Sequence, residues 1–142
     1  MDGPAFEFIE HTADIAARLR APTAAGLFEA AAAALTEALT DRAAIRPAQE
    51  RVVELSAPEL ELLLVDWLAE LLFVFEIDGL LVADARVTID GGGPHRLRAT
   101  VRGEPRDALR HPLKLLIKGV TYHGLRVTRT EEGYEATVIF DI

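Results

Sequence analysis

The chain has 142 residues, of which 50% are apolar and 27% charged, with a net charge of −8 and no cysteine. That length suits one domain over residues 1–142 with a single core, and the missing cysteines exclude a disulfide framework and thiolate metal sites. The negative balance argues against a generic nucleic-acid binder. The longest apolar stretch, Leu60 to Phe75, carries Asp66 and Glu70 and is too short and too charged to span a membrane. No basic-then-apolar leader opens the sequence, so a cytoplasmic protein is expected. Charge is unevenly placed: residues 1–90 hold 17 acids and 6 bases, residues 91–142 hold 6 acids and 9 bases.

Phe6, Phe8 and Ile9 open a predicted strand, and Ile15, Ala17, Leu19 and Ala21 alternate into a second, with the polar turn His11-Thr12-Ala13-Asp14 between them. Pro22-Thr23 starts a helix with Thr23 as N-cap, and Leu27, Ala31, Ala34, Leu35, Ala38 and Leu39 recur at helical spacing until Thr40-Asp41. A short strand around Val52 and Glu54 follows. Ser56-Ala57-Pro58-Glu59 then matches a capping box for a second helix. In that helix Leu60, Leu63, Leu64, Trp67, Leu68, Leu71, Leu72 and Phe75 step by 3 and 4, and Leu62, Val65 and Phe73 widen the stripe, which predicts a helix in the middle of the domain ending at Asp78-Gly79.

The rest reads as strands: Leu80–Ile89, Arg96–Arg102, Leu113–Val120, Leu125–Thr130 and Tyr134–Phe140. Gly91-Gly92-Gly93-Pro94 and Glu131-Glu132-Gly133 form the hairpin turns. Two helices amid seven or eight strands predict an α+β domain, with a mixed or antiparallel sheet packed against two helices.

Signatures of common enzymes are missing: there is no GxSxG, HExxH or Walker A pattern. His11, His95, His111 and His123 all fall on loops or strand ends. Zinc held by His11, His111 and His123 is one reading, and hydrogen-bonding histidines are the other. Asp14 on its turn, Asp141 near the end of the sequence and a terminal carboxylate on Ile142 could instead offer a hard cation its oxygen ligands. The two lysines, Lys114 and Lys118, stand in one segment of a chain with 13 arginines, a hint that an ammonium is wanted there.

Four blocks together carry a resemblance. Glu10-His11-Thr12-Ala13-Asp14-Ile15 resembles the opening signature of the archease family, and Leu63–Phe73 resembles its central helix. Arg102-Gly103-Glu104-Pro105, with His111-Pro112-Leu113-Lys114 and Ile117–His123, is similar to its most distinctive region. Val138–Ile142 resembles its ending. The similarity spans essentially the whole chain. Gly26, Gly119 and Gly124 depart from the family pattern without removing a proposed ligand.

The resemblance implies a fold similar to the Hsp33-type chaperone domain. It also implies a non-catalytic accessory role: promoting guanylylation and turnover of the RtcB-type RNA ligase of tRNA splicing, in a transient complex, with no stable nucleic-acid binding of its own. A divalent cation, calcium in the family, would fall on Asp14, Asp141 and Ile142. His11, Lys114, Lys118 and His123 would contact the partner or its nucleotide site. The alternatives are a general chaperone or holdase using the broad apolar helix, and a metal-dependent hydrolase built on His11, Asp14 and His123.

Overall fold

Alternating burial builds the first sheet. The computed structural model describes residues 3–10 and 14–142; the expected turn at His11, Thr12 and Ala13 lies outside them. Strand β1 (Ala5–Glu10) pairs antiparallel with β2 (Asp14–Ala21), and β2 pairs along its whole length with β8 (Gly133–Asp141). Leu19, Ala17 and Ala21 point inward with Ala136, Val138 and Phe140, all buried, while Arg18, Arg20, Glu135 and Thr137 face outward. The free edge of β8 takes two short strands in succession. β7 (Val127–Thr130) pairs with Gly133–Ala136, and β6 (Gly119–Thr121) pairs with Ile139–Asp141.

A second antiparallel sheet holds β3 (Gln49–Ala57), β5 (His95–Pro105) and β4 (Leu80–Asp90), with β5 in the middle. The strands are thus antiparallel, as the turn spacing predicts, but divided between two sheets rather than gathered in one. A bulge interrupts β4 between Val82 and Asp84. Opposite it, Gly103 has no room for a side chain, since a Cβ there would collide with the Leu81 carbonyl.

Helices α1 (Ala24–Leu39) and α2 (Leu60–Asp78) each touch strands of both sheets. The central one is α1, not the leucine-rich α2: eleven of its 16 residues are buried, against six of 19 in α2. Alanines 30, 31, 32, 34 and 38 have almost no side chain to accommodate, so backbone elements can close around the helix on most sides. In α2 the stripe from Leu63 to Leu72 is buried, but Phe73 and Ile77 are 56% and 65% exposed, so the apolar face does not widen as its sequence suggests.

The helix ends follow local chemistry. The Thr23 hydroxyl accepts the Gly26 N–H at 3.0 Å, and Gly79 closes α2 at φ 69°, a left-handed conformation suited to glycine. Ser56 does not cap α2. Cross-strand pairing with Arg96 keeps it in β3, and Glu59 is the N-cap residue, with no side-chain capping bond. Residues 113–118 are not a strand either, because the backbone here bonds elsewhere: the Lys114 N–H donates to the Leu39 carbonyl, and just before it the Pro112 carbonyl accepts from the Thr40 hydroxyl. This ties the irregular segment 106–118 to the C-terminus of α1.

Trp67 joins the two helices. It is fully buried, and its indole N–H donates to the Phe28 carbonyl at 2.9 Å. Trp67→Ala is expected to destabilise the protein by about 3–5 kcal/mol. Trp67→Phe, which removes the indole bond but leaves the Phe28 carbonyl its bond within α1, should cost about 0.5–1.5 kcal/mol. Urea midpoints followed by circular dichroism check both, and native wild type should show the blue-shifted emission of an indole shielded from water.

Candidate metal centre

The register between β2 and β8 runs from Ala21↔Tyr134 to Asp14↔Asp141. Residues directly opposite in an antiparallel pair share a face, so the two aspartates project side by side on the outer face of the first sheet. β6 completes this corner. Gly119 pairs with Asp141, the Lys118 N–H donates to the Asp141 carbonyl at 2.7 Å, and the Thr121 hydroxyl donates to Asp141 Oδ1 at 2.9 Å. The Ile142 side chain packs against the core, which leaves main-chain oxygens as what this residue can offer beside Asp141.

This pairing contradicts the charge pattern elsewhere. Among the described residues, the other directly opposed charged pairs each join an acid to a base: Glu7↔Arg18, Arg20↔Glu135, Glu50↔Arg102, Glu54↔Arg98, Asp84↔Arg102 and Asp90↔Arg96. Only Asp14↔Asp141 sets like charges face to face, an arrangement that destabilises a sheet. Among the described residues the donors at this corner are all oxygen: two carboxylates and main-chain oxygens, with the Thr121 hydroxyl bonded to one of the carboxylates. That set suits a hard cation and not zinc bound through nitrogen or sulfur. Among the described residues no group of three or more His, Asp or Glu side chains is arranged to hold a metal, so a cation here would need the main-chain oxygens and water as well.

The other residues singled out in the sequence fall around this corner or away from it. His11 lies outside the described residues. Lys118 directly precedes β6, and His123 is exposed in the turn after it, where the Leu125 N–H donates to the Tyr122 carbonyl. Lys114 reaches the last turn of α1, with Nζ 3.2 Å from both the Glu37 carbonyl and Glu37 Oε1. A cation there favours a helix C-terminus, so this lysine has a structural post. His95 opens β5 in the other sheet.

At His111 the hydrogen-bonding reading holds and the zinc reading does not. The residue is completely buried. Its Nδ1 accepts the Asp107 N–H at 2.9 Å, so the ring proton sits on Nε2, 3.1 Å from Glu104 Oε2. Both ring nitrogens are thereby engaged, which removes His111 from any zinc site. Glu104, also buried, accepts two bonds from the Arg110 guanidinium at 2.5 and 3.1 Å and one from the Arg46 N–H at 2.7 Å. The bond from Arg110, followed by the Arg46 N–H, outweighs burial and lowers the Glu104 carboxyl to about 2. This network moors the segment that leads from β5 to Lys118 and β6. Glu104 and His111 both stand in the region similar to the family's most distinctive block, but nothing in the sequence shows that they pair.

Two antiparallel sheets enclosing two helices, with an oxygen-rich corner where β2, β8 and β6 meet, define a small α+β protein. The family model for the Archease protein family matches residues 6–142. The archease of Methanopyrus kandleri is 40% identical over 138 residues, covering 96% of this chain and 99% of that protein. The archease of Methanosarcina barkeri is 37% identical over 142 residues, covering 99% and 97%. The chain belongs to the archease family.

Among solved structures, that of Methanobacterium thermoautotrophicum protein 1598 superposes with a TM-score of 0.80 at 32% identity, covering all of both chains. A Thermotoga maritima archease, described as a possible chaperone, shares the fold with a TM-score of 0.65 at 23% identity over 94% of each chain. Among the described residues no helix is long and apolar enough to cross a membrane.

The Glu104 network carries a pH signature. Its carboxyl titrates at about 2 when folded, against an ordinary 4.5, so the folded protein holds this proton less readily than the unfolded chain. Its stabilisation is complete above the ordinary value and is lost as the pH falls from there towards the folded value. Glu104→Gln should therefore lower the urea midpoint at neutral pH, and its deficit relative to wild type should shrink in acid. A deficit independent of pH would show that the charge of Glu104 is immaterial.

Proposed function

We propose that this protein is a non-catalytic activator of an RtcB-type RNA ligase, promoting guanylylation of the ligase and its turnover in RNA joining and tRNA splicing. The observation that carries the reading is the opposed pair Asp14↔Asp141, at the two ends of a chain that matches the archease model from residue 6 to residue 142. Asp14 and Asp141 would hold a divalent cation, calcium by its oxygen-only donors, with the main-chain oxygens of Ile142 as a third source. The bound cation would supply positive charge for a nucleotide phosphate at the partner's site. Lys118 and His123, just before and just after β6 in the sequence, would offer a point charge and a titratable donor to the partner or its nucleotide.

A holdase is the second reading, favoured by the description of the Thermotoga maritima relative. Its main resource in the sequence, the broad apolar face of α2, is largely buried between the sheets, leaving Phe73 and Ile77 exposed on that helix. The ligase reading therefore has the stronger support.

Guanylylation of a purified RtcB-type ligase by GTP, with and without this protein, separates the two, run beside suppression of aggregation. Stimulation of guanylylation without holdase activity is the expected result. Asp141→Asn adds an independent readout. In chelator it should be as stable as wild type or up to about 1 kcal/mol more stable, because it relieves the like-charge pair. Wild type should gain thermal stability in calcium, and Asp141→Asn should lose that gain together with stimulation of the ligase. Equal calcium responses in the two proteins would sink the cation reading.

A further inference from the structure

We infer that Thr121 is the positioning residue of the strand-end corner, fixing the Asp141 carboxylate in the orientation that receives a cation. The inference rests on the reading of Asp14 and Asp141 as cation ligands.

Side chains alternate along β6 and β8, so Gly119 and Thr121 share the outer face with Asp141 and Ile139, their cross-strand partners. Thr121 therefore lies diagonal to Asp141, within side-chain reach. Its hydroxyl donates to Asp141 Oδ1 at 2.9 Å. The second carboxylate oxygen, Oδ2, looks over Gly119, where a Cβ would stand 3.7 Å from it. With hydrogen alone at position 119, that side of the carboxylate is left open. The main chain is fixed as well, since the Lys118 N–H holds the Asp141 carbonyl at 2.7 Å. Thr121 thus holds one oxygen of a carboxylate whose backbone is already pinned and leaves the other clear.

The bond is unusual in this molecule. The hydroxyls of Thr36, Thr40 and Thr88 donate to backbone carbonyls, and those of Thr23 and Thr130 accept backbone N–H groups. Among the described residues Thr121 is the one hydroxyl bonded to a carboxylate. An exposed aspartate on a strand otherwise samples several rotamers, and ordering it on binding costs free energy. A donor that orders it in advance removes that cost, which is how groups behind a ligand raise the affinity of a metal site.

Calcium titration of the full chain tests this, with calorimetric affinities and thermal midpoints in chelator for wild type, Thr121→Val and Thr121→Ser. Valine keeps the shape without the donor, and serine keeps the donor. Thr121→Val should bind calcium about 10–100-fold more weakly, with a midpoint in chelator close to wild type. Thr121→Ser should recover most of the affinity. Wild-type affinity in Thr121→Val overturns the inference and leaves the cation reading intact. So does a lower midpoint in chelator with unchanged affinity, which marks a purely structural hydroxyl. Failure of serine to restore binding also overturns it, assigning the effect to the methyl group. A wild-type protein that takes up no calcium overturns the cation reading, and the role of Thr121 falls with it.

Discussion

The register between β2 and β8 is the constraint on which the rest of the structure depends. Side chains alternate with a period of two, so a slip of one residue would turn Ala17, Leu19, Val138 and Phe140 out of the core and bring Arg18, Arg20 and Thr137 into it. Burying the first set and solvating the second rules out a slip by any odd number of residues. The observed register sets Asp14 opposite Asp141. The corner is therefore a consequence of core packing, which holds the two carboxylates together even though they repel each other.

The second anchor lies on the far side of β6. Segment 106–118 has little regular structure, yet it is held at both ends. The His111–Glu104–Arg110 network fastens its start, and the bonds from Lys114 and Pro112 to the end of α1 hold its middle. Buried Ile117 then leads to Lys118, whose N–H meets Asp141. A long loop fixed in this way can deliver a three-residue strand to the edge of β8. Without such anchoring so short a strand has too few ladder bonds to hold its place. The position of Thr121 beside Asp141 is thus inherited from a buried histidine in a different part of the fold.

Signals confined to a few neighbouring residues were legible in the sequence. Thr23 and Gly79 bound their helices, and the turns at residues 91–94 and 131–133 join antiparallel strands as their composition predicts. Signals that depend on distant partners were not. Ser56 has the chemistry of a cap, but pairing with Arg96 claims it for β3. The apolar alternation of residues 113–118 mimics a strand, although its cause is the burial of Ile117 and the tie of Lys114 to α1. Leucine content marked α2 as the central helix, whereas the smallness of the alanines gives that place to α1. At the candidate site the aspartates could be named as oxygen donors, but only the register brings them together. Thr121 gave no sign at all, since a threonine in a strand is ordinary and its meaning comes from one neighbour.

The like-charge pair bears on what the corner is for. Both sheets contain pairs in which a carboxylate meets a guanidinium, so this fold readily places a base opposite an acid. An asparagine at the exposed position 141 would keep the outer-face geometry and relieve the repulsion, since the core lies on the other side of the sheet. Packing therefore does not require two aspartates here. Folding stability does not favour them either, because opposed carboxylates weaken a sheet. A cation reverses that balance, since the repulsion that penalises the empty pair becomes the negative field that binds the ion. A like-charge pair at a strand end, beside a glycine that leaves one oxygen open and a threonine that holds the other, is what the proposed cation would require and what the fold alone does not.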